Sequence, residues 1–171
     1  SGVETVEIKP VADSIYDAAG NAASASETTG ALTLNDQLDP TATLSPVDDA
    51  PSVGINDNLV LTFTDSMVAG TGNIVIKTTS GDTTFETIAV GDTGQVTFSQ
   101  TTVSNDTVTI NPDNTFASST EYYVLIPTTG FDDDAANSYA GITGTTDWSF
   151  TVSDVAGPTI SSGSLAADNS Y

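Results

Sequence analysis

The chemically rich side chains of this chain are its acids. It carries 23 Asp and Glu against two lysines, with no arginine, histidine or cysteine, for a net charge of −21. Asp36, Asp39, Asp65, Asp132, Asp133 and Asp134 could supply the hard oxygen ligands that calcium takes about six to eight at a time. No EF-hand spacing or glycine-aspartate nonapeptide repeat accompanies them, and Asp also suits solvated turns and caps. Two carboxyls roughly 5–10 Å apart in a cleft could instead hydrolyse a glycoside. These acids fall in turn-like stretches without a lid-like segment, so catalysis is not expected. Without His or Cys, zinc, haem and thiolate-iron centres lose their usual ligands, and His- or Cys-based nucleophilic catalysis is excluded. Two lysines cannot neutralise a phosphate backbone, which excludes nucleic acid as a partner.

Three other residue groups could carry chemistry. Lys77 could join an Asn or Asp in an isopeptide crosslink, although a lone strand lysine usually faces solvent or protects an edge. Tyr16, Tyr122, Tyr123, Tyr139 and Trp148 could stack on sugars. Trp148 and Phe150 alternate, however, which places them on one core face, and the adjacent Tyr122 and Tyr123 must point to opposite sides. Core or edge packing is therefore the expected role, with one of the two tyrosines exposed. Asn105-Asp106-Thr107 fits the N-glycosylation triplet, a pattern common by chance.

The elements that must position these residues are strands. Leu59–Phe63, Asn73–Thr78, Thr84–Val90, Gln95–Phe98, Thr107–Ile110, Tyr122–Ile126 and Trp148–Val152 read as strands, most with an apolar residue at every second position. Gly-, Asn-, Asp- and Ser-rich spacers separate them, and short strands at intervals of roughly 8–12 residues signal a sandwich or barrel. No segment holds a helical period. The chain has 29 Thr and 19 Ser, which together with β-branched aliphatics favour a pleated surface. With 37% hydrophobic and only 15% charged residues, it is not built like a disordered chain. No apolar run approaches the ~20 residues of a membrane-spanning helix. Starting at Ser1 with no leader-like segment, the sequence is expected to be a processed protein or an excised piece.

An internal repeat organises the whole. Asp17-Ala18-Ala19-Gly20-Asn21 matches Asp133-Asp134-Ala135-Ala136-Asn137 at an offset of 116, and Asp36-Gln37-Leu38-Asp39-Pro40-Thr41 matches Asp154-Val155-Ala156-Gly157-Pro158-Thr159 at an offset of 118. Each copy follows a strand-like run ending in Pro, Val6–Pro10 and Val124–Pro127. Two copies of a domain ending frame one whole domain. The expected division is residues 1–38 as the end of a preceding repeat, 39–153 as a complete domain, and 154–171 as a linker and the first strand of a following repeat.

Residues ~46–152 resemble the bacterial Ig-like domain of the S-layer-protein (SbsA-type) family. The resemblance rests on Ser45–Ala50, Leu59–Phe63, Gly70–Ile76, Val108–Pro112, Tyr122–Val124, Phe131–Asn137, Tyr139–Ile142 and Trp148–Thr151. It implies an all-β, Ig-like antiparallel sandwich with partial neighbours at both ends. One departure stands out: the family's Gly before the Asn, present as Gly20, is Ala136 in the main copy, so a different backbone path is expected there. In that topology the turns holding Asp65 and Asp132–Asp134 lie at the pole where the linker with Asp36 and Asp39 enters. The six acids would then converge on an interdomain calcium, the expected cofactor, with Asp17 and Asn21 as the analogues in the preceding repeat. The resemblance implies a non-catalytic tandem module of a large secreted bacterial protein at the cell surface: an S-layer, stalk or adhesin extender. The expected partners are neighbouring repeats or copies of the chain, with no membrane insertion. Two alternatives remain: a carbohydrate- or surface-binding adhesin module, and a fibre subunit whose incomplete ends are complemented by strands of another chain.

Overall fold

A computed structural model describes residues 5–6, 9, 11, 14–24, 32–33 and 36–159. All regular elements among these are strands. Ahead of the main body lie β1 (Thr5–Val6) and β2 (Leu32–Thr33), paired antiparallel. The body follows as β3 (Ala42–Ser45), β4 (Ala50–Val53), β5 (Leu59–Phe63), β6 (Met67–Ala69), β7 (Asn73–Thr78), β8 (Thr84–Ala89), β9 (Val96–Ser99), β10 (Thr107–Ile110), β11 (Glu121–Leu125), β12 (Phe131–Asp133) and β13 (Ser149–Val152).

Two sheets face each other. One runs β3-β5-β10-β9 and the other β4-β13-β11-β7-β8, with a small β12-β6 ribbon beside them. Every pairing is antiparallel except β4 with β13. The incoming strand therefore splits. Its first half, β3, joins one sheet, and after Ser45-Pro46 its second half, β4, runs parallel to the last strand of the other sheet. Trp148 fixes this crossing: its indole N–H donates to the Pro46 carbonyl at 2.8 Å, and Ser149 N–H donates to the Asp48 carboxylate at 2.8 Å.

Strand alternation produces the core. Leu59, Leu61 and Phe63 of β5 point inward, as do Ile74 and Ile76 of β7, Ile88 of β8 and Val108 and Ile110 of β10. They meet Val124, Phe150 and Val152 in one continuous cluster drawn wholly from residues within 42–152. Phe85, Phe116, Tyr122 and Phe150 form one aromatic group, with ring centroids 5.0–5.8 Å apart. Phe131 reaches into a second, 5.9 Å from Phe63 and 6.1 Å from Phe98. Offset and edge-on contacts of this kind suit the ring quadrupoles.

One expectation about exposure is corrected. Tyr122 and Tyr123 do face opposite sides, yet both are buried. Tyr123 lies opposite Lys77 across the β11–β7 pair, and its hydroxyl donates to Asp82 from the β7–β8 turn. The lysine stem and the turn cover the ring, as long amphipathic side chains commonly do.

Candidate functional site

The sequence repeat has a structural counterpart in two hairpin loops that share their hydrogen bonds. In the first, Asp17 Oδ1 accepts the Ala19 and Asn21 amides, each at 2.9 Å, and Asp17 Oδ2 accepts Asn21 Nδ2 at 2.8 Å. In the second, Asp133 Oδ1 accepts the Ala135 and Asn137 amides, each at 2.8 Å, and Asp133 Oδ2 accepts Asn137 Nδ2 at 2.8 Å. The flanking backbone bonds correspond too: Asp17 N–H to Asn21 O and Ala23 N–H to Ile15 O match Asp133 N–H to Asn137 O and Tyr139 N–H to Phe131 O. An Asp and an Asn four residues apart thus close a loop that needs one residue at positive φ.

That residue corrects the expectation about the departure. Gly20 has φ +86° and Ala136 has φ +67°, so the alanine follows the same path rather than a different one. The physical reason is over-determination: the bonds onto Asp133 hold the loop closed against the local cost of a left-handed alanine.

The second loop also receives the incoming linker. Asn137 Nδ2 donates to the Asp36 carbonyl at 3.3 Å. Thr41 N–H donates to Thr64 Oγ1 at 3.1 Å, and Thr64 N–H returns a bond to the Thr41 carbonyl at 2.9 Å. Pro40, between these anchors, is buried. Outgoing residues are tied back to the body instead. Ser118 Oγ donates to the Ser153 carbonyl and to Asp154 Oδ1, each at 3.3 Å, and accepts the Val155 amide at 3.0 Å.

The six acids expected at this pole are partly brought together. The Asp65 turn lies just ahead of β6, whose Met67 is paired with Asp133, and the Asp36 backbone reaches Asn137. Asp65 is buried and accepts Thr64 Oγ1 at 3.0 Å. Asp133 is buried and held by its own loop, while Asp132 accepts Ser138 Oγ at 2.6 Å. Asp36 Oδ1 accepts the Leu38 amide at 3.0 Å. Asp39 and Asp134 are exposed. Among the described residues, no three His, Cys, Asp or Glu form a group that could hold a metal ion. Donors from the protein occupy the inward carboxylates, and the linker meets the body through neutral hydrogen bonds.

Two buried acids that composition alone did not single out act in the same way. Asp106, fully buried, accepts the amides of Thr101, Thr102 and Val103 at 2.6–2.8 Å and Thr107 Oγ1 at 2.9 Å. Burial pushes its carboxyl up, but these bonds outweigh burial and hold it down at about 2. Glu86 accepts the Asp113 and Asn114 amides, Asn114 Nδ2 and Gln95 Nε2, which clasps the turn after β10 to β8. Burial raises its carboxyl, but the four donors together outweigh burial, for a net shift downward. Their sequence signal is a strand or loop acid followed by Asn, Thr or Gly, too common to read alone.

Lys77 pairs with Asp82 at 2.6 Å and lies 5.9 Å from the Tyr123 ring centroid. The Lys77 hydrogen bond lowers the Asp82 carboxyl, and the Asp82 hydrogen bond raises Lys77. An ionised carboxylate that is 70% exposed offers an ion pair rather than the neutral acid that amide condensation needs. Of the aromatics proposed for sugar stacking, Trp148, Tyr122 and Tyr123 are buried, Tyr139 is half-buried against Phe63, and Tyr16 is exposed. In the glycosylation triplet, the Thr107 hydroxyl is held by Thr101 and Asp106.

A family model described as bacterial Ig-like domain matches residues 36–152. No curated protein matches the chain. Among solved structures, the S-layer protein rSbsC(31–844) is similar at 20% identity and a TM-score of 0.44, over 68% of this chain and 14% of that one. The N-terminal part of the bacterial S-layer protein SbsC is similar at 20% identity and a TM-score of 0.43, over 68% of this chain and 24% of that one. CopC from Methylosinus trichosporium OB3b is similar at 14% identity and a TM-score of 0.44, over 70% of this chain and all of that one. The chain thus spans less than a quarter of the length of the two S-layer chains.

Proposed function

The chain belongs to the bacterial Ig-like domain family, and from that premise we propose that residues 39–153 act as a non-catalytic structural module of a large secreted bacterial surface protein. The role is that of a tandem-repeat spacer in an S-layer, stalk or adhesin. The observation that carries this proposal is the recurrence, at 116 and 118 residues, of one hairpin and one linker around a single body. An element that repeats with its hydrogen bonds intact suits a chain of similar bodies stacked end to end. The acids support a load-bearing role rather than a chemical one, because the buried ones are used to close turns.

Mechanical unfolding of the parent protein tests this. A chain of such modules should yield in separate steps, each releasing roughly 350–400 Å of contour for a body of this size. Loss of mass from a polysaccharide substrate, or specific glycan retention by this chain, would replace the spacer role with an enzymatic or lectin one.

One observation bears on the fibre-subunit alternative as well as on the tandem reading. Ile15 occupies in the first hairpin the place that Phe131 occupies in the second, yet it is 57% exposed where Phe131 is fully buried. Strands of a preceding repeat or of another copy would cover it. Solution size decides: a monodisperse monomer at high concentration removes the fibre reading.

A further inference from the structure

The two linkers are alike in sequence and in local fold, but they differ in what covers them. Asp36 Oδ1 accepts the Leu38 amide and Asp154 Oδ1 accepts the Ala156 amide, so both begin with the same Asp-closed turn. Both end in Pro-Thr, and each exposes one aliphatic residue in between, at different positions: Leu38 at 61% and Val155 at 59%. The first linker is seated on a body. Asn137 holds the Asp36 carbonyl, Thr64 holds Thr41 on both sides, and Pro40 is buried. Among the described residues, the second linker is anchored at its start, by Ser118, and Pro158 is exposed.

We propose that residues 154–159 are a docking strap for a following domain of this same pattern. The amide of that domain's Asn, closing its own Asp-x-x-x-Asn hairpin, would take the Asp154 carbonyl. A Thr equivalent to Thr64 would bind Thr159, and Pro158 would become buried as Pro40 is. The outgoing linker is then clamped at both ends, upstream by Ser118 and downstream by an Asn137-type amide. The Asn has two jobs in one group: one amide proton staples its hairpin to Asp133, and the other captures the linker. A joint held in this way sets one angle between successive bodies, because Pro limits φ and the backbone on each side of it is hydrogen-bonded. The partner is specified by chemistry: an Ig-like body with the hairpin Asn and the Thr, and with no linker of its own in the groove.

This proposal rests on the tandem-module role, and a fused pair tests it separately. Residues 1–159 of one copy are run directly into residues 42–171 of a second, whose core lies wholly within 42–152. The junction then lies where residues 36–41 would be. Digestion with a broad-specificity protease, read by intact mass, should cut the junction about tenfold more slowly than the open 154–159 segment after the second body. A Gly-Ser junction of equal length should be cut as fast as that open segment. Equal cutting of both native segments overturns the strap, as does equal protection of the Gly-Ser junction. A second body that fails to fold behind the borrowed linker also overturns it, because residues 154–159 would then not substitute for 36–41. An open junction between two folded bodies removes the strap and leaves the spacer role standing, since that role is decided by the parent protein under load.

Discussion

Ala136 stands in a left-handed conformation that the matching position fills with glycine. A left-handed L-residue costs roughly 1–2 kcal/mol locally, and glycine gives back part of that gain through the entropy of the unfolded chain. Ala136→Gly is therefore expected to stabilise the protein by about 0.5–1 kcal/mol, measured by urea unfolding with an unchanged m-value. Asp106 gives a pH-dependent counterpart. Its carboxyl sits at about 2, below the ordinary 3.8, so the unfolded chain binds the proton first as pH falls. The stability from this group is present above about pH 4 and is lost as pH drops through about 2. Asp106→Asn should melt well below the wild type at pH 7, and the gap should close between about pH 4 and pH 2. A gap constant over that range would show that Asp106 matters through shape alone. Asp17, Asp82 and Glu86 are shifted in the same direction and add to the same acid limb.

At the scale of elements, β5, β7, β8, β9, β10, β11 and β13 were legible because their apolar pattern is a local property, whereas the short β3, β4, β6 and β12 were not. Leu59-Val60-Leu61-Thr62-Phe63 can bury one face only by putting every second residue inside. The recurrence of Asp-x-x-x-Asn was legible as well, but its closure by hydrogen bonds onto Asp17 and Asp133 was seen only in the structure. What the pattern could not show is how the incoming strand divides between sheets. That depends on Trp148 reaching Pro46 across 102 residues of sequence. Trp148→Phe keeps an aromatic ring but leaves the Pro46 carbonyl without its donor and opens a small void. A loss of about 1–3 kcal/mol is expected, with faster hydrogen exchange concentrated in β4. Uniform exchange across both sheets would place the crossing's stability elsewhere. The burial of Tyr123 was missed for a similar reason: its cover comes from the Lys77 arm and the β7–β8 turn, neither of which is adjacent to it in sequence.

At the scale of the whole molecule, 23 acids and two lysines repel one another in the compact state. Raising sodium chloride from about 10 mM to 150 mM shortens the screening length from ~30 Å to ~8 Å and should raise the melting temperature by several degrees. The interdomain calcium expected from the sequence makes a sharper demand. Millimolar calcium must raise melting beyond sodium chloride of matched ionic strength, and a chelator must reverse the excess. Equal shifts would assign the whole effect to screening.

The sequence by itself determined the fold class, seven of the strands and the spacing between the two Asp-x-x-x-Asn copies, because each follows from residues near one another along the chain. Only the tertiary structure decided which donors meet the buried acids. A carboxylate looks the same in a sequence whether its neighbours are water, a cation or backbone amides. For Asp133, Asp106 and Glu86 the fold supplies amides, because a buried charge must be met by donors close enough to replace its hydration.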